Sequence, residues 1–129
     1  CSGHISFDIS GISGAYIESA VLTFTSPSEF GDPLSYLDAL CINVLDWGAK
    51  PIIQNDFKLN GTLIQRFTSS DITCNADKLK EELQKAISGG KSRFQIRIHF
   101  SGPYSDYDSS KDGWGYLQSN VNLNITYIP

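Results

Sequence analysis

The sequence predicts a mainly β protein, either a sandwich or a barrel, built from about eight short strands and one short amphipathic helix at about residues 76–88. Several segments alternate apolar and polar residues, which is the period of a strand with one buried face. Residues typical of turns separate these segments at short intervals, as in all-β folds. A single segment has the period of a helix. One helix of about three turns must cover a β structure, since it cannot form its own domain.

Length, charge and hydropathy indicate how many domains the chain forms and which kinds of partner are excluded. At 129 residues the chain is predicted to form one domain, residues 1–129, and we interpret it as a module of a longer exported protein. The net charge of −4 argues against a nucleic-acid surface, since such surfaces need clustered Lys and Arg. No apolar run reaches the roughly 20 residues that span a bilayer, so no transmembrane segment is predicted.

The predicted helix has one apolar face, formed by Leu79, Leu83, Ala86 and Ile87. Asn75 is predicted to accept hydrogen bonds from the first free N–H groups, and Glu81 is predicted to pair with Lys85. Gly89-Gly90 is predicted to end the helix, because glycine adopts the left-handed conformation without a steric cost.

Strands are predicted around residues 4–9, 17–25, 40–45, 62–68, 93–100, 116–117 and 121–127, with a weaker short piece near Phe57 and Leu59. Asn60-Gly61 matches a type I′ turn, which predicts a hairpin between that piece and the strand after it. In the last strand Val121, Leu123, Ile125 and Tyr127 alternate with Asn122, Asn124 and Thr126.

Three segments together resemble a known family. They are Phe7-Asp8-Ile9-Ser10, the strand IESAVLTF that starts at Ile17, and Asp71-Ile72-Thr73 leading through the helix and Gly89-Gly90 to Phe94-Gln95-Ile96-Arg97. Their order is similar to the DNRLRE-type and related carbohydrate-binding-module-like jelly rolls of secreted bacterial and archaeal proteins. The chain departs from the pattern of this family in two ways. Its helix lacks an aromatic residue near its end, and its final strand lacks the family's arginine-rich motif. The resemblance implies a two-sheet antiparallel jelly-roll β-sandwich, display outside the cell or on its surface, and binding of sugar or surface polymer.

Residues 104–116 interleave aromatic and acidic side chains. Tyr104, Tyr107, Trp114 and Tyr116 offer planar apolar faces to sugar rings, and neighbouring carboxylates can bond hydroxyl groups, so these four are the predicted ligand-binding residues. The alternative is that the aromatic residues fold this loop onto the sheet.

Asp106, Asp108 and Asp112 stand at alternate positions in the same segment and supply the hard oxygen ligands that calcium prefers. They form the predicted calcium site, although Lys111 stands where an EF-hand needs glycine and no bidentate Glu follows. The alternative is a solvated acidic loop, and no cofactor is required by the sequence.

The three cysteines leave alternatives open. Cys41 and Cys74 either form a disulfide across a long loop or are two buried thiols acting as small apolar side chains. Cys1 opens the sequence as in a lipid-anchored bacterial protein, or else marks a boundary or an odd thiol.

Three further residues are of types that occur in binding or metal sites: Trp47, His4 and His99. Trp47 is predicted to be buried in the core rather than to bind a ligand. His4 and His99 lie on strand faces opposite the apolar ones and are predicted to face solvent rather than bind zinc.

No catalytic motif is present, and the predicted function is non-catalytic. Paired acids of the glycoside-hydrolase kind are the single catalytic alternative. The predicted function is that of an extracellular module binding polysaccharide or another cell-surface polymer. The alternative is a structural or adhesion module that contacts neighbouring protein domains in a cell-surface or lipid-anchored protein.

Overall fold

Strands with alternating side chains make up most of the computed structural model, which describes residues 2–25, 28–30, 39–53, 59–68, 72–100, 113–115 and 120–129. The elements in chain order are β1 (Ser2–Asp8), a 3-10 helix (Ser10–Ile12), β2 (Tyr16–Phe24), β3 (Ser28–Phe30), β4 (Leu40–Leu45), β5 (Thr62–Phe67), β6 (Ile72–Cys74), α1 (Asp77–Ser88), β7 (Arg93–Phe100), β8 (Gly113–Gly115) and β9 (Val121–Ile128).

Two antiparallel sheets carry the fold. The four-stranded sheet has the order β1-β7-β4-β5, and the three-stranded sheet has the order β6-β2-β9. The predicted mainly β fold with two antiparallel sheets and one helix is confirmed, and the sheets do not close into a barrel. The predicted count of about eight strands is wrong, since seven strands form the two sheets, while β3 and β8 pair only with each other.

The core lies between the two sheets. Inward side chains of the four-stranded sheet, such as Ile42 and Ile96, form one buried cluster with Leu22 and Ile72 of the three-stranded sheet. The chain crosses from one sheet to the other five times: from β1 to β2, from β2 to β4, from β5 to β6, from β6 through α1 to β7, and from β7 to β9. Both sheets therefore depend on the same core, and burial of their apolar faces is the main stabilising term of the sandwich.

The helix α1 completes that core. Leu79, Leu83, Ala86 and Ile87 are all buried, which confirms the predicted apolar face. Gly90 has a φ of 74°, and Gly90 N–H and Lys91 N–H donate to the carbonyl oxygens of Ile87 and Ala86. This pair of bonds is a Schellman motif and confirms the predicted glycine termination.

Two details of the predicted helix are wrong. The N-cap residue is Ala76, and no side chain caps the helix. The Leu79 N–H donates to the Ala76 carbonyl oxygen, whereas the sequence predicts Asn75 as the acceptor at this end. Lys85 pairs with Glu82 at 3.4 Å rather than with Glu81. Glu82 lies one helical turn from both Lys78 and Lys85 and pairs with each of them.

The predicted type I′ turn at Asn60-Gly61 is also wrong. Gly61 has no positive φ, and β5 pairs with β4, while residues 54–58 lie outside the described part of the chain. A Cβ at Gly61 would lie 3.0 Å from both Asn43 Cβ and the Val44 carbonyl oxygen. Glycine is therefore needed here for close approach to β4 and not for a turn.

Candidate functional site

Most of the predicted site residues lie outside the described residues. Tyr104, Tyr107 and Tyr116, and the predicted calcium ligands Asp106, Asp108 and Asp112, belong to this group. Trp114 is in β8, where its backbone pairs with Glu29. The polysaccharide and calcium sites therefore stay predictions.

The two cysteines of the predicted disulfide alternative are free thiols, and both are buried. Cys74 belongs to the core between the sheets, whereas Cys41 alternates with the core residues Leu40 and Ile42 and so lies on the other face of β4. Burial raises the pKa of the Cys74 thiol. The unbridged alternative, in which both cysteines act as small apolar side chains, describes the structure.

On the four-stranded sheet, residues 46–48 cover the part of the outer face that β1 and β7 form, on the side away from the core. Trp47 is only 7% exposed, which confirms its predicted burial, but it packs on this outer face and not in the core between the sheets. Its backbone N–H donates to Gln95 Oε1 at 2.8 Å, and Gln95 Nε2 donates to the Gly48 carbonyl oxygen at 2.7 Å and to Ser6 Oγ at 3.1 Å. Gln95 is 2% exposed and uses both of its amide hydrogens. It holds this segment on the sheet, a role that sequence reasoning missed.

The predicted solvent-facing histidines are partly buried instead. His4 meets Trp47 edge to face, with ring centroids 5.9 Å apart and ring planes at 76°. His99 Nε2 lies 3.3 Å from Asn43 Oδ1. The prediction is wrong because strand alternation shows only which residues point away from the core. It does not show that Trp47 packs against His4, or that Asn43 of the neighbouring strand contacts His99.

An ion pair closes one end of this cover. Lys91 Nζ donates to Asp46 Oδ2 at 2.7 Å, and Gly48 N–H donates to Asp46 Oδ1 at 2.9 Å. These two hydrogen bonds hold the pKa of the Asp46 carboxyl below its usual value, and the bond from Lys91 has the larger effect. A cavity of about 210 Å³ beside this pair is lined in part by Lys85, Arg93 and Glu82. Charges of both signs line it, so it shows no preference for an anion or a cation.

The outer face of the three-stranded sheet differs, because no other described segment buries it. Its exposed side chains are uncharged except for Glu18, and most are small and polar: Ser19, Thr73, Asn122, Asn124 and Thr126. Tyr16 and Ile128 are paired across β2 and β9 and are 59% and 52% exposed. Together they form an apolar patch, the Tyr16–Ile128 patch, at the end of this face.

A cavity of about 220 Å³ opens between the sheets where β1 and β9 are edge strands. Its walls are Phe7, Asp8, Ile9, Gly11, Ile12, Leu123, Ile125 and Tyr127. All but Asp8 and Gly11 are apolar or aromatic. For scale, an apolar cavity of roughly 150 Å³ holds a benzene molecule. This side cavity therefore has room for a large apolar side chain.

The four edges of the two sheets are not equally protected against pairing with another strand. Protein edges are commonly protected by short length, charge or bulges. β6 has only three residues, β1 ends on Asp8, and β5 carries Arg66 and joins β4 through a register shift. β9 has eight residues, VNLNITYI, with no charge and no proline. The sequence alone shows that residues 121–128 carry no charge. Only the strand order shows that they form an edge strand, where charge would hinder pairing with another strand.

Two general features complete the description. Within the described residues, no three His, Cys, Asp or Glu side chains lie together in a group that could hold a metal ion. The described part of the chain also has no helix that is long and apolar enough to span a membrane.

Comparison with known proteins gives no relative. No family model, no curated protein and no solved structure matches this chain. The resemblance to DNRLRE-type jelly rolls stays a prediction, and the case for function rests on the surfaces described above.

Proposed function

We propose that this chain is a non-catalytic structural or adhesion module, displayed outside the cell or on its surface, that contacts other protein domains. The observation that carries this proposal is the surface beside β9, which combines an uncharged edge strand, the Tyr16–Ile128 patch and the side cavity. Exposed apolar groups grouped in this way are typical of protein contacts.

The form of this surface favours a protein partner over a sugar. An unpaired strand edge offers a row of backbone N–H and C=O groups, which another polypeptide strand can satisfy in register. The side cavity is lined mainly by aliphatic and aromatic side chains, with Asp8 as its one charged member. Sugar recognition needs several hydroxyl-bonding groups beside an aromatic face, and this cavity offers few.

Polysaccharide binding is the second candidate, and the sequence of residues 104–116 favours it. Tyr104, Tyr107, Trp114 and Tyr116 alternate there with three carboxylates. In this candidate the aromatic residues stack on sugar rings and the acids bond hydroxyl groups or hold calcium. Its site is separate in sequence from the surface beside β9, so variants can distinguish the two functions.

Binding of the fluorescently labelled chain to the cells that produce it tests both candidates. We expect protease treatment of the cells to remove binding and periodate oxidation of their glycans to leave it intact. The double variant Tyr16→Ser with Ile128→Ser should bind at least tenfold more weakly, and Tyr107→Ala with Trp114→Ala should bind as the unchanged chain does.

Each opposite result has a definite meaning. Loss of binding after periodate, or on the Tyr107→Ala and Trp114→Ala changes alone, would contradict the protein-contact function and support the polysaccharide function. Absence of binding to untreated cells would contradict both. Circular dichroism of each variant before the assay excludes unfolding as the cause.

A further inference from the structure

We infer that the protein partner at β9 is a second copy of this chain, paired antiparallel through β9 to make one continuous six-stranded sheet. The inference rests on the proposed function, since it names the partner at the same surface. Three properties of β9 carry it: its place at an edge, its charge pattern and the cavity beside it.

The place of β9 gives the reason for pairing. β9 bonds to β2 along one side only, so backbone groups along its other side lack a strand partner among the described residues. Among the four edge strands of the two sheets, β9 is the longest, and it contains no charged residue, no proline and no bulge. Natural monomers protect such edges, because an unprotected edge recruits another strand.

The charge pattern favours an identical partner. In a two-fold symmetric pair, each strand meets its own sequence running in the opposite direction. A charged residue near the axis would then face its own copy, and like charges directly opposite each other destabilise a strand pair. β9 has no charged residue, so self-pairing creates no such contact. Its exposed Asn122, Asn124 and Thr126 would instead meet Asn and Thr side chains, which can bond across strands.

The side cavity favours the same partner. A strand added to β9 would extend the three-stranded sheet over the cavity that Phe7, Ile9 and Ile12 line. In a second copy the side chains on the same face of β9 are Leu123, Ile125 and Tyr127, which line that copy's own side cavity, so an antiparallel pair would bring the two apolar openings side by side. Tyr127 is 42% exposed in the single chain. The same strand thus supplies both the matching edge and an apolar opening that the equivalent opening of the second copy can cover.

Sedimentation velocity from about 5 to about 500 µM protein tests this inference, because a weak pair forms as the concentration rises. The unchanged chain should shift from monomer to dimer across this range. Asn124→Lys places a lysine in the middle of β9 and should weaken the dimer at least tenfold. Thr73→Lys is the matched control, since it puts the same exposed side chain on β6, the opposite edge of the same sheet, and it should dimerise normally.

Hydrogen exchange measured at both ends of the concentration range supplies an independent readout. Alternate amides of β9, those directed away from β2, should become protected at high concentration in the unchanged chain and in Thr73→Lys. A monomer at every concentration would overturn the inference, as would normal dimerisation of Asn124→Lys or equal weakening by Thr73→Lys. If the chain is monomeric yet binds cells in a protease-sensitive manner, the proposed function stands and the partner is another protein.

Discussion

The two sheets share one core but treat their outer faces differently. In the four-stranded sheet the chain covers the outer face of β1 and β7, with Trp47 packed over it and Gln95 bonded to the covering segment. In the three-stranded sheet the outward side chains of β9 stay exposed. The difference shows that residues facing away from the core of a sandwich can contribute very differently to the free energy of unfolding. The covered face stabilises the fold, and the exposed face is available for contact.

Removal of Trp47 should have the largest effect on this comparison. We expect Trp47→Ala to lower the free energy of unfolding by about 3–5 kcal/mol, because a buried ring leaves a cavity over the four-stranded sheet. Tyr16→Ala is the matched aromatic change on the exposed face and should alter it by about 0.5 kcal/mol or less. Urea unfolding followed by circular dichroism measures both. Similar losses in the two variants would show that the faces do not differ as described.

Removal of the Gln95 amide should have the next largest effect. We expect Gln95→Ala to cost about 1–3 kcal/mol, since it leaves the Trp47 N–H and the Gly48 carbonyl oxygen without their partner. Asn124→Ala removes an exposed amide from the other sheet and should change stability by about 0.5 kcal/mol or less. The same urea titration applies, and an unchanged midpoint for Gln95→Ala would show that Gln95 does not hold the cover in place.

The central strand β2 extends beyond the three-residue β6, and Gln84 tests how its backbone is covered there. Gln84 of α1 accepts the Ile17 N–H at 2.7 Å and donates to the Ala15 carbonyl oxygen at 3.1 Å, as a neighbouring strand would. We expect Gln84→Ala to cost about 1 kcal/mol per hydrogen bond lost at this partly buried site. Gln84→Glu keeps the acceptor, so it should preserve slow exchange of the Ile17 amide, which Gln84→Ala should lose. Equal exchange in the two variants would contradict this role.

The smallest effect is expected at the Asp46–Lys91 pair. The folded-state pKa of Asp46 lies below its usual value, so its contribution is complete above that usual value and disappears as the pH falls through the lowered pKa. Asp46→Asn should therefore reduce the loss of stability on acidification below about pH 4. At neutral pH it should cost only about 0.2–1 kcal/mol, because both side chains are about half exposed.

Thermal unfolding across pH 2.5–7 checks the direction of this effect. Lys91→Gln removes the stronger of the two causes and should reduce the acid sensitivity in the same sense. A steeper loss of stability in Asp46→Asn would contradict the assignment.

The inward half of this fold was predictable from sequence. The alternation in β7 and the helical period of Leu79, Leu83, Ala86 and Ile87 report directly on burial against the core. The Asn60-Gly61 turn was mispredicted, because the dipeptide shows a local preference while contact with β4 fixes the glycine. The exposure of His4 was mispredicted, because cover by Trp47, a residue distant in sequence, leaves no periodic signal.

The candidate surface was less predictable still. The sequence shows that β9 lacks charge, but this favours pairing with another strand only because β9 lies at a sheet edge. Its place at the edge depends on contacts between residues far apart in the chain. Gln84 and Gln95 reach backbone groups on segments far away in sequence. No pattern local to either glutamine distinguishes it from an exposed one.

The pairing of β2 with β9 also has a kinetic consequence. β2 ends at Phe24 and its full-length partner β9 begins at Val121, so the three-stranded sheet cannot assemble until β9 has been synthesised. Closing so long a loop is entropically costly, and folds dominated by distant contacts form in milliseconds to seconds. Until then β2 must keep its apolar side chains away from other nascent chains. A chaperone that holds β2 until β9 has been synthesised should therefore increase the yield of folded protein.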